Sequence, residues 1–185
     1  MNKLFEKITG VEPEMTPAEK TQSMEALVRD IDKIKVKIFD SMMLVTYIEE
    51  NTTYEVPKRS KEDISTTQIN RLYKLVCNEY AIFYSQLSKS EKSDIDKIKG
   101  KEKKPKDTGV LVEDFVYIKN EVLNIIKLLD YAKRKNLNLE CQRNPYSIPK
   151  DFIECLIKQG EDEYQKYFSL LSDEEKIAFN TYKRL

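Results

Sequence analysis

The 185-residue sequence contains no histidine and no tryptophan, and it has only four glycines and three cysteines. Without His, the commonest general base is missing, and so are the usual zinc-activating ligand and any Ser–His or Cys–His nucleophile pair. The scattered glycines form neither G-x-x-x-x-G-K-S/T nor G-x-G-x-x-G, the two loops that most often cradle phosphates. Cys77, Cys141 and Cys155 make no C-x-x-C pair, and an odd number fits no disulfide framework. Each reads as a small buried apolar residue, reduced in a cytoplasmic setting. No run approaches the ~20 apolar residues that cross a bilayer. The N-terminal stretch Met1–Ile8 is too short and mixed for the apolar core of a signal peptide. Lys+Arg and Asp+Glu are both 32, so no global charge draws the chain to nucleic acid or to an anionic membrane.

What is present points to helices. Hydrophobic residues make up 40% and charged residues 35%, too apolar for a disordered chain and suited to a water-facing helical one. Basic character comes from 26 lysines against 6 arginines, and Ile, Asn and Tyr are plentiful. That usage is typical of AT-rich genomes, among them those of low-GC bacteria, their phages and some large viruses.

The chain also repeats itself. Shifted by 84 positions, residues 25–101 lie on 109–185 without a gap, and 20 of those 77 positions are identical. Composition alone would give about five. The clearest match lays 78–92, from Asn78 to Lys92, on 162–176, from Asp162 to Lys176. Repeats of this kind set the architecture. The expected organisation is a leader over 1–15, a first repeat over 16–99, a lysine-rich linker over 100–108 and a second repeat over 109–185. Each repeat should hold three helices, giving an all-α helical bundle with pseudo-twofold symmetry.

Apolar spacing defines the helices. Leu27, Ile31, Ile34, Ile38, Met42 and Val45 step by three and four, as one face of an amphipathic helix must. Their images Leu111, Phe115, Ile118, Val122, Ile126 and Leu129 are all apolar. Thr16-Pro17-Ala18-Glu19 is a capping box opening a helix expected to run to about Glu50. Second helices are expected from near Ser65 and from near Pro149. They carry Ile69, Leu72, Val76, Tyr80, Phe83 and Leu87, with Ile153, Leu156, Gly160, Tyr164, Tyr167 and Leu171 as images. Gly160 breaks the pattern and marks a close helix approach or a bend. Third helices are announced by Ser88-x-x-Glu91 and Ser172-x-x-Glu175. Ile95 and Ile98 should face the core in the first repeat, Phe179 and Tyr182 in the second.

Candidate chemistry is sparse. Carboxylate-bridged metal sites in bundles pair a Glu with E-x-x-H, which a His-free chain cannot supply. Glu49-Glu50, Glu161-Asp162-Glu163 and Asp173-Glu174-Glu175 read as solvated or helix-start charge. No catalytic residue, metal or cofactor is therefore assigned, and an enzyme is disfavoured. Among the charged positions that recur, Arg59 and Arg143 are expected to form ion pairs inside their own repeats; an external anion is the rival reading. The aromatic triplet Tyr80, Phe83, Tyr84 recurs as Tyr164, Tyr167, Phe168. Its spacing suits a core face, with Tyr84 and Phe168 as candidate partner contacts. Leu4, Phe5 and Ile8, at helical spacing in the leader, are further candidates. Lys97, Lys99, Lys101, Lys103, Lys104 and Lys106 form the one strong local charge, a solubilising linker or a set of phosphate contacts.

Three function classes remain. One is a structural or scaffold protein with protein partners, copies of itself included, such as a phage or viral particle subunit of connector or ring type in the host cytoplasm or virion. The second is a small regulator or inhibitor docking on a host protein, and the third is a nucleic-acid accessory factor that uses the lysine linker. No membrane contact is expected.

Overall fold

The computed structural model describes residues 15–56, 64–99, 111–141 and 148–183. Among the described residues there are six α-helices and no strand: α1 (Pro17–Asn51), α2 (Thr66–Ser85), α3 (Lys89–Lys99), α4 (Leu111–Arg134), α5 (Lys150–Phe168) and α6 (Asp173–Tyr182). The fold is all-α.

Local chemistry sets the helix ends. Four helices open on a capping box, in which a hydroxyl and a carboxylate or amide satisfy backbone N–H groups that have no intrahelical partner. The Thr16 backbone N–H donates to Glu19 Oε2 at 2.8 Å while the Glu19 N–H donates to Thr16 Oγ1 at 3.3 Å. Ser65 and Gln68 do the same at 2.8 and 3.3 Å. Ser88 with Glu91 and Ser172 with Glu175 complete the set. At its other end α4 closes on Asn136, which takes φ 52°. The Leu137 N–H reaches back to the Ala132 carbonyl at 2.9 Å and the Asn136 N–H to Lys133 at 3.2 Å, a Schellman stop with Asn in the left-handed position.

The chain divides into two units, and neither is a sequence repeat. The first unit combines Met1–Arg29, Tyr73–Lys104 and Ile118–Ile148; the second combines Asp30–Leu72, Pro105–Tyr117 and Pro149–Leu185. Most of the first helix of one repeat thus joins the second and third helices of the other. In the second unit Leu44, Tyr47 and Ile48 of α1 form one buried cluster with Tyr167, Leu171 and Phe179 of α5, α6 and the turn between them. The Tyr47 ring lies 5.3 Å from Phe179 and 5.5 Å from Tyr182. In the first unit the Tyr131 hydroxyl of α4, the image of Tyr47, donates to Asp94 of α3 at 3.0 Å. Gln86, just past α2, is tied to Glu140 in both directions through its amide.

The core-facing row departs from the expected one at two places. Met42 is exposed, because after Ile38 the buried row runs through Ser41, Leu44 and Ile48, with Val45 at its margin. The step from 38 to 42 follows the local spacing, but the helix turns 3.6 residues per turn and the packed face drifts back to 41. Ile98 is likewise exposed and only Ile95 of α3 is buried. Gly160 is a close approach: a Cβ there would lie 3.3 Å from Lys37 Cβ and 3.7 Å from Ile64 Cδ1. Of the cysteines only Cys141 is buried; Cys77 is half-buried and Cys155 exposed, a correction to the expectation of three core thiols.

Candidate functional site

Each unit carries the same lysine–tyrosine lock. In the first, Lys99 at the end of α3 lies over the Tyr80 ring of α2, 4.3 Å from its centroid, and pairs with Glu121 of α4 at 3.5 Å. Tyr80 stacks on Tyr84 with centroids 5.6 Å apart, and Lys92 sits over Tyr84. Burial, with help from Tyr84, Asp96 and Glu121, pushes the Tyr80 hydroxyl up to about 12. In the second unit Lys183, the image of Lys99, lies over Tyr164 and pairs with Asp40 of α1. Tyr164 stacks on Phe168 at 5.5 Å, and Lys176 sits over Phe168. The acid has moved by one turn between the units. Position 121 is the image of Lys37, which in the second unit pairs with Glu161 instead. These locks explain why the aromatic triplets and their lysines recur: they tie the first helix of one repeat to the second and third helices of the other.

The first unit also holds a buried ion pair. Lys20 of α1 and Glu79 of α2 are in direct contact, with side chains 5% and 4% exposed. Beside them the buried Cys141 thiol is pushed up by burial; Lys20 draws it down and Glu79 raises it. The pair was overlooked at the level of sequence, although its signal is there. Lys20 precedes Met24, Leu27 and Ile31 at spacings of four, three and four, so it stands on the apolar row.

The second unit leaves an apolar stripe uncovered. Val36, Phe39 and Met42 of α1 are 55%, 51% and 46% exposed, three positions apart and off the core-facing row. Met43, half-buried, extends the stripe towards the core cluster. Both its ends are charged: Asp32, Lys33 and Lys35 precede it, with Lys33 paired to Asp30 at 3.0 Å, and Glu49 and Glu50 follow it. Sequence reading missed it because Met42 was assigned to the core row.

The earlier candidates fall in several places. Tyr84 donates to Asp96 at 2.9 Å, and Phe168 packs edge-on to Phe179 at 6.4 Å, so both are engaged inside their units. Lys97 pairs with Asp94 at 3.3 Å and Lys99 with Glu121, within the first unit. Leu4, Phe5, Ile8, Arg59, Arg143, Lys101, Lys103, Lys104 and Lys106 lie outside the described residues. Among the described residues no group of three acids or cysteines is placed to hold a metal ion, and no helix is long and apolar enough to cross a membrane. Compared with known proteins, the chain matches no family model, no curated protein and no solved structure.

Proposed function

We propose that the chain is a non-enzymatic helical scaffold that acts by presenting a helix face to protein partners. The observation that carries this reading is the stripe of Val36, Phe39 and Met42 on α1. Single exposed apolar side chains are ordinary, but a row of large ones along a helix, with charge at both ends, has the character of a protein-binding face. Tyr164 and Phe168 are engaged in the unit's own lock. Tyr54 and Ile177 are exposed as well, but among the described residues only the stripe sets several such side chains in a row along one helix. A particle subunit of connector or ring type is the concrete form of the reading that fits a duplicated, lysine-rich helical chain. A regulator docking on one host protein uses the same face. A nucleic-acid role has less support, since Lys97 and Lys99 are both engaged in ion pairs.

The test is photo-crosslinking in the source cell, with a photoreactive residue at position 39 and, as a control, at the exposed Lys158 of α5. Protein adducts concentrated at position 39 are expected. Equal labelling at both positions would overturn the reading.

A further inference from the structure

We infer that the basic tip of the first unit docks on the acidic tip of the second unit of another copy of this chain, a head-to-tail contact. The inference names a partner for the scaffold reading and rests on that reading, but on other residues than the apolar stripe.

The two tips are matched places in the repeat. In the second unit the Tyr54 hydroxyl donates to Glu175 Oε2 at 3.2 Å, which ties the segment after α1 to the start of α6. Exposed there are Glu49, Glu50, Glu55, Asp173 and Glu174. In the first unit the Tyr131 hydroxyl donates to Asp94 at 3.0 Å, so the end of α4 lies against the first turns of α3. Hydrogen bonds from Ser88 hold the Glu91 carboxyl of α3 below its ordinary value, and Lys135, just past α4, adds to them. Exposed at this tip are Lys89, Lys133, Arg134 and Lys135. Lys133, Arg134 and Lys89 are the images of Glu49, Glu50 and Asp173, so the charge changes sign at three matched positions.

Their own units engage these charges only in part. Lys176 pairs with Asp173 at 3.2 Å, and Lys135 lies over the Tyr131 ring. The acids beside the basic tip are Glu91, which closes its capping box with Ser88, then Glu140 and, one turn back, Asp130. Helix-end electrostatics account for acids at the start of α6 and bases at the end of α4. They do not account for Glu49 and Glu50 in the last turn of α1, or for Lys89 at the first position of α3. Each of these sits at the dipole end of its own sign. Charge set against its own helix is what a complementary surface on a partner calls for.

Opposite tips on one chain also set the kind of assembly. Like tips repel, so copies join basic tip to acidic tip and add until the set closes on itself or extends. Exposed ion pairs are individually weak, so the contact is expected to be reversible and salt-sensitive.

Sedimentation velocity of the nuclease-treated full chain under reducing conditions, from about 5 to 500 µM, reads the assembly. At about 0.01 M salt the mass should rise with concentration. At about 0.15 M, where the screening length falls from about 30 to about 8 Å, assembly should need at least about tenfold more protein. Two neutralised variants separate the tips: Glu49→Gln, Glu50→Gln, Asp173→Asn in one, and Lys133→Gln, Arg134→Gln, Lys89→Gln in the other. Each alone should need at least about tenfold more protein to assemble, with helicity by circular dichroism unchanged. Mixed, they should form a one-to-one complex and nothing larger, because the first keeps the basic tip and the second the acidic one. A wild type that stays monomeric at low salt, assembly that survives either set of substitutions, or a mixture that forms no complex would each overturn the inference. Assembly that disappears on nuclease treatment would overturn it as well and give the basic tip to nucleic acid. Position-39 adducts to other proteins, found with a monomeric chain, would sink the second-copy contact and leave the scaffold reading standing.

Discussion

Replacing Glu79 by Ala should be among the most damaging single changes in the first unit, although Glu79 sits in a sequence where one residue in three is charged. An exposed Lys–Glu pair is worth at most about 1 kcal/mol. The Lys20–Glu79 pair is different, because its side chains are only 5% and 4% exposed. Deleting the carboxylate leaves an ammonium in the core with no counter-charge, and breaking such a pair costs about 3–5 kcal/mol. In a chain of this size that lowers Tm by roughly 10 °C. Glu79→Gln keeps a carbonyl acceptor and should cost less, about 2 kcal/mol. Lys20→Met combined with Glu79→Leu removes both charges together and should return stability to within about 1 kcal/mol of wild type, or exceed it. Urea unfolding followed at 222 nm measures all four. Cys141 supplies an independent reading, since Lys20 draws its thiol down and Glu79 raises it. Its alkylation should shift to higher pH in Lys20→Met and to lower pH in Glu79→Gln. A Glu79→Ala variant within about 1 kcal/mol of wild type would refute the reasoning, because it would mean that water reaches the pair.

Other perturbations follow from the helix ends and the close approach. Ser88→Ala and Ser172→Ala should each cost about 1 kcal/mol by removing an N-cap acceptor, measured by urea unfolding at neutral pH. The hydrogen bonds from Ser88 and Ser172 hold the Glu91 and Glu175 carboxyls below their ordinary value. A depressed carboxyl stabilises the fold above its unfolded pKa and loses that contribution as pH falls through the folded value. The gap between each Ser→Ala variant and wild type should therefore narrow on acidification through the glutamate range. Gly160→Leu should cost about 2–3 kcal/mol by overpacking against Lys37 Cβ and Ile64, while Gly160→Ala, whose helix propensity offsets the tight contact, should stay within about 1 kcal/mol of wild type. Asn136→Gly should be neutral or slightly stabilising and Asn136→Ala destabilising by about 1 kcal/mol, both from thermal melts, because the residue sits at φ 52°.

Periodicity and capping made the helices legible before any coordinates. Thr16-x-x-Glu19, Ser65-x-x-Gln68, Ser88-x-x-Glu91 and Ser172-x-x-Glu175 all open helices, since the hydrogen bonds that start a helix are local. Gly160 was readable as a close approach or a bend, since a missing side chain on an apolar row has few explanations, and the contact with Lys37 Cβ and Ile64 decides for the first. The partner of each first helix was not readable. Leu44 and Tyr47 recur unchanged as Leu128 and Tyr131, and Lys99 as Lys183, so either pairing of first helices with second and third helices satisfies the same pattern. Only tertiary packing decides between them, and it sets Tyr47 against Phe179 and Tyr131 beside Asp94. The apolar stripe was hidden by the same arithmetic. Met42 fits a step of four from Ile38 as well as a step of three from Phe39, and the drift of a 3.6-residue helix selects the second.

The exchange of first helices between repeats is the claim on which this account most depends, and cutting the chain in the lysine linker tests it. Fragments 1–104 and 105–185 each contain one whole repeat, yet each holds only part of both units. Circular dichroism and sedimentation of the separate and mixed fragments should show neither as a folded monomer, and mixing should restore native helicity in a one-to-one complex. Fragment 1–104 alone can reach equivalent contacts only by pairing with a second copy of itself, which would also agree with exchange. A fragment 1–104 that unfolds cooperatively as a monomer, with stability near that of the whole chain, would contradict it.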